Sequence, residues 1–190
     1  KMALLAKKKQ RQLLLSKINH TLRKRQGQLS VLLRNKRELD NTVLHLQSDR
    51  NEKGKLGAFV RFKGRLAWPV MGKVVANFGS RLYHSQLKRS GIFISAPAGK
   101  AVHAVASGKV IFAKWLMGYG QLLIISHGNG YMTLYGHNQN MFKGVGQNVQ
   151  VGDTIATVGD SGGNEKSGLY FAIRHFQKAL NPSLWCRRRR

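Results

Sequence analysis

The sequence predicts a mainly β fold, a compact sandwich or barrel, preceded by one long α-helix. Two patterns and the break between them carry that expectation. From Arg65 onward, short apolar runs are punctuated by glycine at close intervals, as in a small all-β domain. Up to about Leu46 no proline and a single glycine, Gly27, interrupt a chain whose apolar residues return at steps of three and four. Between them, SDRNEKGKLGAFVRFKG carries charge and glycine without a sustained period and reads as a linker, with a short amphipathic turn at Leu56 to Phe62. The expected organisation is a coiled-coil helix over 1–47, a linker over 48–64 that could regulate a neighbouring groove, a β domain over 65–186 and a basic tail over 187–190.

The helix carries a heptad seam through Leu15, Ile18, Leu22, Arg25, Leu29, Leu32, Lys36, Leu39, Val43 and Leu46, with Arg25 and Lys36 as polar breaks. A stripe this narrow on a helix this polar needs a partner to be stable, and no partner helix is visible downstream. The expectation is an upstream helix forming an antiparallel hairpin, or another chain. The sequence opens on Lys1 rather than Met, which fits a longer chain with room for a signal peptide. A basic amphipathic helix lying on a membrane is the competing reading, but a strict seam suits helix packing better than a broad apolar face does.

Within the β domain, Trp68-Pro69-Val70 opens the fold. Strands are expected at Val74 to Gly79, Gly91 to Ala96, Val102 to Val105, Gly108 to Ala113, Val149 to Gly159 and Leu169 to Arg174. The central hairpin pairs Gln121–Ser126 with Tyr131–Tyr135 across His127-Gly128-Asn129-Gly130, residues that accept positive φ at little steric cost. It ends on Tyr135-Gly136-His137, which is expected to place a phenol and an imidazole where a strand runs out. Asn181 to Trp185 reads as a closing turn anchored by a tryptophan.

Composition limits the function. Lys and Arg number 33 against 7 Asp and Glu, a formal charge of +26 with a pI near 11.2. Such a chain is attracted to nucleic acid, anionic lipid or an acidic wall polymer, unless the charge is simply solvated surface, since the excess runs through both halves. No zinc-finger, RNA-recognition or helix-turn-helix signature supports specific nucleic-acid binding. The one cysteine, Cys186, permits neither an intrachain disulfide nor a cysteine-based zinc site. No run approaches the roughly 18 apolar residues of a membrane span.

The ordered succession WPV, FG, SGIFISAPAGKAVHAVASGKV, GYGQLLIISHGNGYMTLYGHN, VGQNVQVGDTIATVGDSGG, GLYFAIR and NPSLW resembles the LytM-type domain of the M23 zinc metallopeptidases over Arg65 to Trp185. It looks most like the degenerate branch, the EnvC-like murein hydrolase activators, in which a coiled coil precedes the domain. The resemblance implies a β-sandwich of the barrel-sandwich hybrid type. Active members carry His-x-Gly-x-Asp and His-x-His motifs whose first His, Asp and last His hold zinc, leaving a position for water. Here the motifs read Arg89-Ser90-Gly91-Ile92-Phe93 and Gly168-Leu169-Tyr170-Phe171-Ala172. The former ligand positions are thus Arg89, Phe93 and Tyr170, and only His137 matches a family histidine. A cation and a phenyl ring cannot hold Zn²⁺, and His84, His103 and His127 show no pair spacing that would rebuild a site. No Ser-His-Asp or Cys-His arrangement offers a replacement nucleophile. No catalytic residue, metal or cofactor is therefore expected.

By the same resemblance Phe93, Tyr119, Leu122, Tyr135, Tyr170 and Arg174 line the former cleft, refitted to receive an amphipathic helix from a partner. Arg174 and Arg89 are placed to pair with acids at its edge. The implied function is activation of periplasmic N-acetylmuramoyl-L-alanine amidases at the division septum, by capturing their autoinhibitory helix. The coiled coil would then be held by an FtsEX-type complex in the inner membrane. Ser90 and Ala172 depart from residues common in the family. The alternatives are an active M23 zinc endopeptidase of peptidoglycan and a basic cell-wall-binding module.

Overall fold

The structure, a computed structural model, describes residues 2–48, 59–82, 86–163 and 166–188. Helix α1 runs Met2–Ser48, as expected from a stretch of Leu, Lys, Arg and Gln without proline. The chain divides into two compact units, 1–37 and 38–190, so the division falls inside the helix and not at its end. The first unit is helix alone, and its seam residues Leu15, Ile18 and Leu22 are exposed.

The second unit holds the last turns of α1 and ten strands. These are β1 (Lys73–Ala76), β2 (Ile92–Ser95), β3 (Ala101–His103), β4 (Gly108–Leu116), β5 (Gly120–Ser126), β6 (Tyr131–Met141), β7 (Asn148–Val149), β8 (Thr154–Val158), β9 (Gly168–His175) and β10 (Lys178–Leu180). The sheet order is β1-β2-β9-β6-β5-β4-β7, every pairing antiparallel, with β10 beside β9 and with β8 pairing both β3 and β6. This is the mainly β architecture that the glycine-punctuated runs predict.

Three local differences from expectation have plain causes. Strand β6 does not run out at His137. It continues to Met141, because the chain absorbs a left-handed residue there (His137, φ 62°) and a register shift against β5, then changes partner from β9 to β8. The stretch Val149 to Gly159 is two strands, split by a turn in which the Gln150 amide donates to Asp153 Oδ2 (3.1 Å) and Gly152 takes φ 88°. Of the short turn expected at Leu56 to Phe62, Val60–Phe62 is present as one 3-10 turn, and 56–58 lie outside the described residues. Phe59 just before it is buried, stacked between His127 (4.6 Å between ring centres) and Trp185 (5.1 Å), so the end of the linker is fastened to the domain.

Period-two alternation gives the central strands two apolar faces. Leu123 and Ile125 of β5, Tyr135 of β6, and Leu169, Phe171 and Ile173 of β9 enter the main core with Val102, Ile155 and Val158. The opposite face carries Leu122 and Ile124, Met132 and Leu134, and Ala172. Such strands read as continuous apolar runs and need a cover on both sides. The second cover is α1 itself: Leu39 and Val43 are buried against this face and Leu46 packs beside them. This corrects the expectation that the seam has no partner downstream. Its last three apolar positions dock on the sheet, a burial that contributes about 1.5–3 kcal/mol for each fully buried side chain.

Candidate functional site

Two adjoining features occupy the β2-β9-β6 region: a polar pocket around His137 and an apolar groove beneath the end of α1. The pocket, about 380 Å³, is lined by Arg89, Phe93, His137 and Tyr170 together with Val75, Ala76, Gly91, Ile92, Gly163 and Lys166. Strands β2 and β9 pair Phe93 with Tyr170, setting the two residues side by side on the sheet. Gly91 is required at its place, since a Cβ there would stand 2.7 Å from Phe171 O and from Tyr170 Cε2. Arg89 is set by a two-bond ladder: its amide donates to Ser80 O and its carbonyl accepts from Gly79, both at 2.9 Å.

His137 is 8% exposed and lies edge-on to Phe93 (5.8 Å between ring centres) and to Tyr170 (6.4 Å). Its Nδ1–H donates to Ser161 O at 2.7 Å, which leaves the lone pair on Nε2. Burial holds this imidazole below its ordinary pKa despite that bond, so it is neutral at pH 7. The Tyr170 hydroxyl sits 3.1 Å from Ser90 Oγ, and burial raises its pKa, as it raises that of Tyr119. Neither phenol supplies an anion at neutral pH.

These groups do not suit the zinc that the resemblance brings to mind. The positions offer a guanidinium, a phenyl ring and a protonated phenol, with one imidazole beside them, where a hydrolytic zinc takes three nitrogen, sulfur or carboxylate donors. Among the described residues no three His, Cys, Asp or Glu come close enough to share a metal ion. Of the histidines weighed as substitutes, His103 Nδ1 bonds Gly152 O (3.0 Å). His127 is enclosed between Ser107 O and Thr133 Oγ1 (both 2.8 Å), and His84 lies outside the described residues.

The sheet face covered by the end of α1 brings together four of the six residues expected to line a cleft, as packed neighbours of that helix. Leu122 is fully buried beneath Leu39 and Val43, and Tyr119 and Tyr170 pack at the same cluster, their rings edge to face at 5.0 Å. Arg174, 4% exposed, donates from Nη2 to Asp40 Oδ1 (2.8 Å) and to Gln177 O (2.7 Å). Phe93 belongs to the pocket. Tyr135 is in neither feature: it points through the opposite face into the main core, where its hydroxyl accepts from the Val105 amide (3.2 Å) and lies 3.0 Å from Thr133 Oγ1. Its reading as a groove residue is corrected by strand alternation, which sends Leu134 and Tyr135 to opposite sides.

Sequence reasoning missed Ser161, Lys166 and the α1 residues that fill the groove. Asp40 carried a usable signal. It and Glu38 are the only acids in a helix otherwise charged by Lys and Arg. An acid kept there points to a cation elsewhere.

A fold of this kind, with this pocket, defines a LytM-type peptidase domain. The model of peptidase family M23 matches residues 87–182, just over half of the chain, and the chain belongs to that family. It is 40% identical over 139 residues to the murein hydrolase activator EnvC of Escherichia coli K12, covering 73% of this chain and 33% of that one. It is also 40% identical over 116 residues to the murein hydrolase activator NlpD of Salmonella typhimurium, covering 60% and 29% respectively. The chain thus spans about a third of the length of the curated relatives it matches. Among solved structures it is similar to a putative peptidase M23 from Pseudomonas aeruginosa (TM-score 0.61, 24% identity, 81% of this chain and 61% of that one). The catalytic domain of lysostaphin from Staphylococcus simulans shares the fold as well (TM-score 0.54, 24% identity, 58% of this chain and 89% of that one).

Proposed function

We propose that this protein is a non-catalytic activator of cell-wall hydrolysis. It acts on periplasmic N-acetylmuramoyl-L-alanine amidases by receiving their autoinhibitory helix in the groove between Tyr119, Leu122, Tyr170 and Arg174. The observation that carries the reading is that this groove already holds an amphipathic helix, the chain's own: Leu39 and Val43 fill it and Asp40 meets Arg174. A surface that accepts one such helix has the chemistry to accept another of the same pattern, two apolar residues one turn apart with an acid beside them. The donor set at Arg89, Phe93 and Tyr170 supports the absence of catalysis. The relatives named murein hydrolase activators support the direction of the effect.

The end of α1 must leave before an amidase helix enters, so the two compete for one site. Whatever draws α1 away raises amidase affinity by the factor with which amidase binding loosens α1. An FtsEX-type membrane complex acting on the coiled coil at the division septum is the proposed source of that pull. The place of action is then the periplasm, with peptidoglycan nearby and the inner membrane reached through the partner. No helix among the described residues is long and apolar enough to cross a membrane.

Dye-labelled peptidoglycan tests this directly. The protein alone is expected to release no dye, the autoinhibited amidase little, and the two together several times more. Equal release with and without this protein would count against activation, and release by the protein alone would revive the zinc endopeptidase reading.

A further inference from the structure

The surface at the other end of β6 and β9 has a chemistry that neither the pocket nor the groove uses. These strands pair Gly136 with Tyr170 beside the pocket, and Tyr131 with His175 at the far end of β9. There the Tyr131 ring stacks on His175 (4.1 Å between ring centres), and Phe59 lies against Tyr131 (5.3 Å) and Trp185 (5.1 Å). The stacks fasten three loops together: the turn that follows Phe59, the β9–β10 turn and the closing turn before Trp185. Backbone bonds tie the last to the first, the Leu66 amide donating to Trp185 O (3.1 Å) and the Arg187 amide to Leu66 O (2.9 Å). Trp68 Nε1 also donates to Arg187 O (2.9 Å). Each loop leaves large apolar side chains in solvent: Val60 and Phe62 on the first, Phe176 on the second and Leu184 on the third, 45% to 62% exposed. Their neighbours along the chain are exposed cations. Arg61, Lys63 and Arg65 interleave with the first pair, Lys178 follows Phe176, and Arg187 and Arg188 follow Trp185. No Asp or Glu occurs in 59–66 or 175–188. In the stretch 49–58, which lies outside the described residues, Asp49 and Glu52 are outnumbered by Arg50, Lys53 and Lys55.

Cations alone suit any polyanion, and the apolar side chains select among them. A nucleic acid or an acidic wall polymer meets the cations but gives Val60 and Leu184 no apolar medium to enter. The boundary of an anionic bilayer takes both, with Lys and Arg on the headgroups and Phe and Leu in the upper acyl region. We propose that this end of the β domain lies on a membrane surface rich in anionic lipid. Phe62, Phe176 and Leu184 enter the interface, and the flanking Lys and Arg rest on its headgroups. This attachment is independent of α1 and of the amidase reading.

Co-sedimentation of the full chain with vesicles of phosphatidylglycerol mixed with phosphatidylcholine, at near-physiological salt, tests the assignment. Vesicles of phosphatidylcholine alone are expected to bind about tenfold less or weaker still, through loss of the headgroup charge. Because the whole chain is basic, the decisive variant keeps every charge. Phe62→Ser combined with Leu184→Ser is expected to weaken partitioning to the mixed vesicles about tenfold or more. Leu15→Ser combined with Ile18→Ser removes two exposed apolar side chains from α1 and is expected to change it by less than about twofold. An unchanged near-ultraviolet circular dichroism spectrum shows that both variants fold. The proposal is overturned if the protein binds neither kind of vesicle, if both kinds bind alike, if the Phe62 and Leu184 pair leaves partitioning unchanged, or if the α1 pair weakens it as much. Retention on purified peptidoglycan in place of the vesicles, abolished by the Phe62 and Leu184 pair, would overturn it in favour of a wall polymer. The dye-release assay contains no lipid, so the two readings stand or fall separately.

Discussion

Tyr135 separates two readings of one residue. As a groove residue its truncation would spare stability; as found, its ring is fully buried and its hydroxyl is the acceptor for the Val105 amide. Tyr135→Ala is therefore expected to cost about 3–5 kcal/mol in urea unfolding through the cavity it leaves. Tyr135→Phe is expected to cost about 1–2 kcal/mol through the stranded amide. His127 makes a second test. Stacked on Phe59 and buried, it has its pKa lowered from the ordinary 6.5 to about 4. Between those values the unfolded chain holds a proton that the folded chain does not, so stability falls as pH drops from about 6.5 toward 4. The slope contributed is up to about 1.4 kcal/mol per pH unit. A thermal-midpoint profile across that range should be flatter in His127→Gln than in the wild type; parallel profiles would show that His127 is not the group responsible.

At the scale of elements, the end of α1 is the part that moves in this account. Its attachment includes two buried aliphatic side chains, Leu46 packed beside them, and an ion pair whose cation is buried and whose carboxylate is one-third exposed. Val43→Asp places a charge against Leu122 and Leu134 and is expected to release the segment, seen as faster amide hydrogen exchange over 39–46 with the β strands still protected. Asp40→Asn removes the charge opposite Arg174. It is expected to loosen the same segment by about 1–2 kcal/mol, the solvent exposure of Asp40 keeping the effect below that of a fully buried pair. The seam was legible in the sequence because period 3.5 is visible in residue spacing alone. Its partner was not, because a strand such as Gln121 to Ser126 shows that both faces are apolar without showing which element covers which face.

Across the whole molecule, the glycine-bearing turns, the central hairpin and the positions of most strands along the chain were readable because they depend on local φ and on alternation. The left-handed His137 and the change of partner along β6 were not, since they are imposed by the strands that meet there, β5, β8 and β9. For the site, the three positions singled out in the sequence, 89, 93 and 170, line one pocket with His137 in the structure. What fills the neighbouring groove came only from three dimensions. The proposed activation turns on competition for that groove between α1 and an incoming helix. Fluorescence anisotropy of a labelled peptide carrying an amidase's autoinhibitory helix, titrated with wild type and with Val43→Asp, measures that competition most directly. Tighter binding to Val43→Asp than to wild type, abolished when Arg174→Glu is added, is the predicted result; equal or weaker binding to Val43→Asp would contradict it.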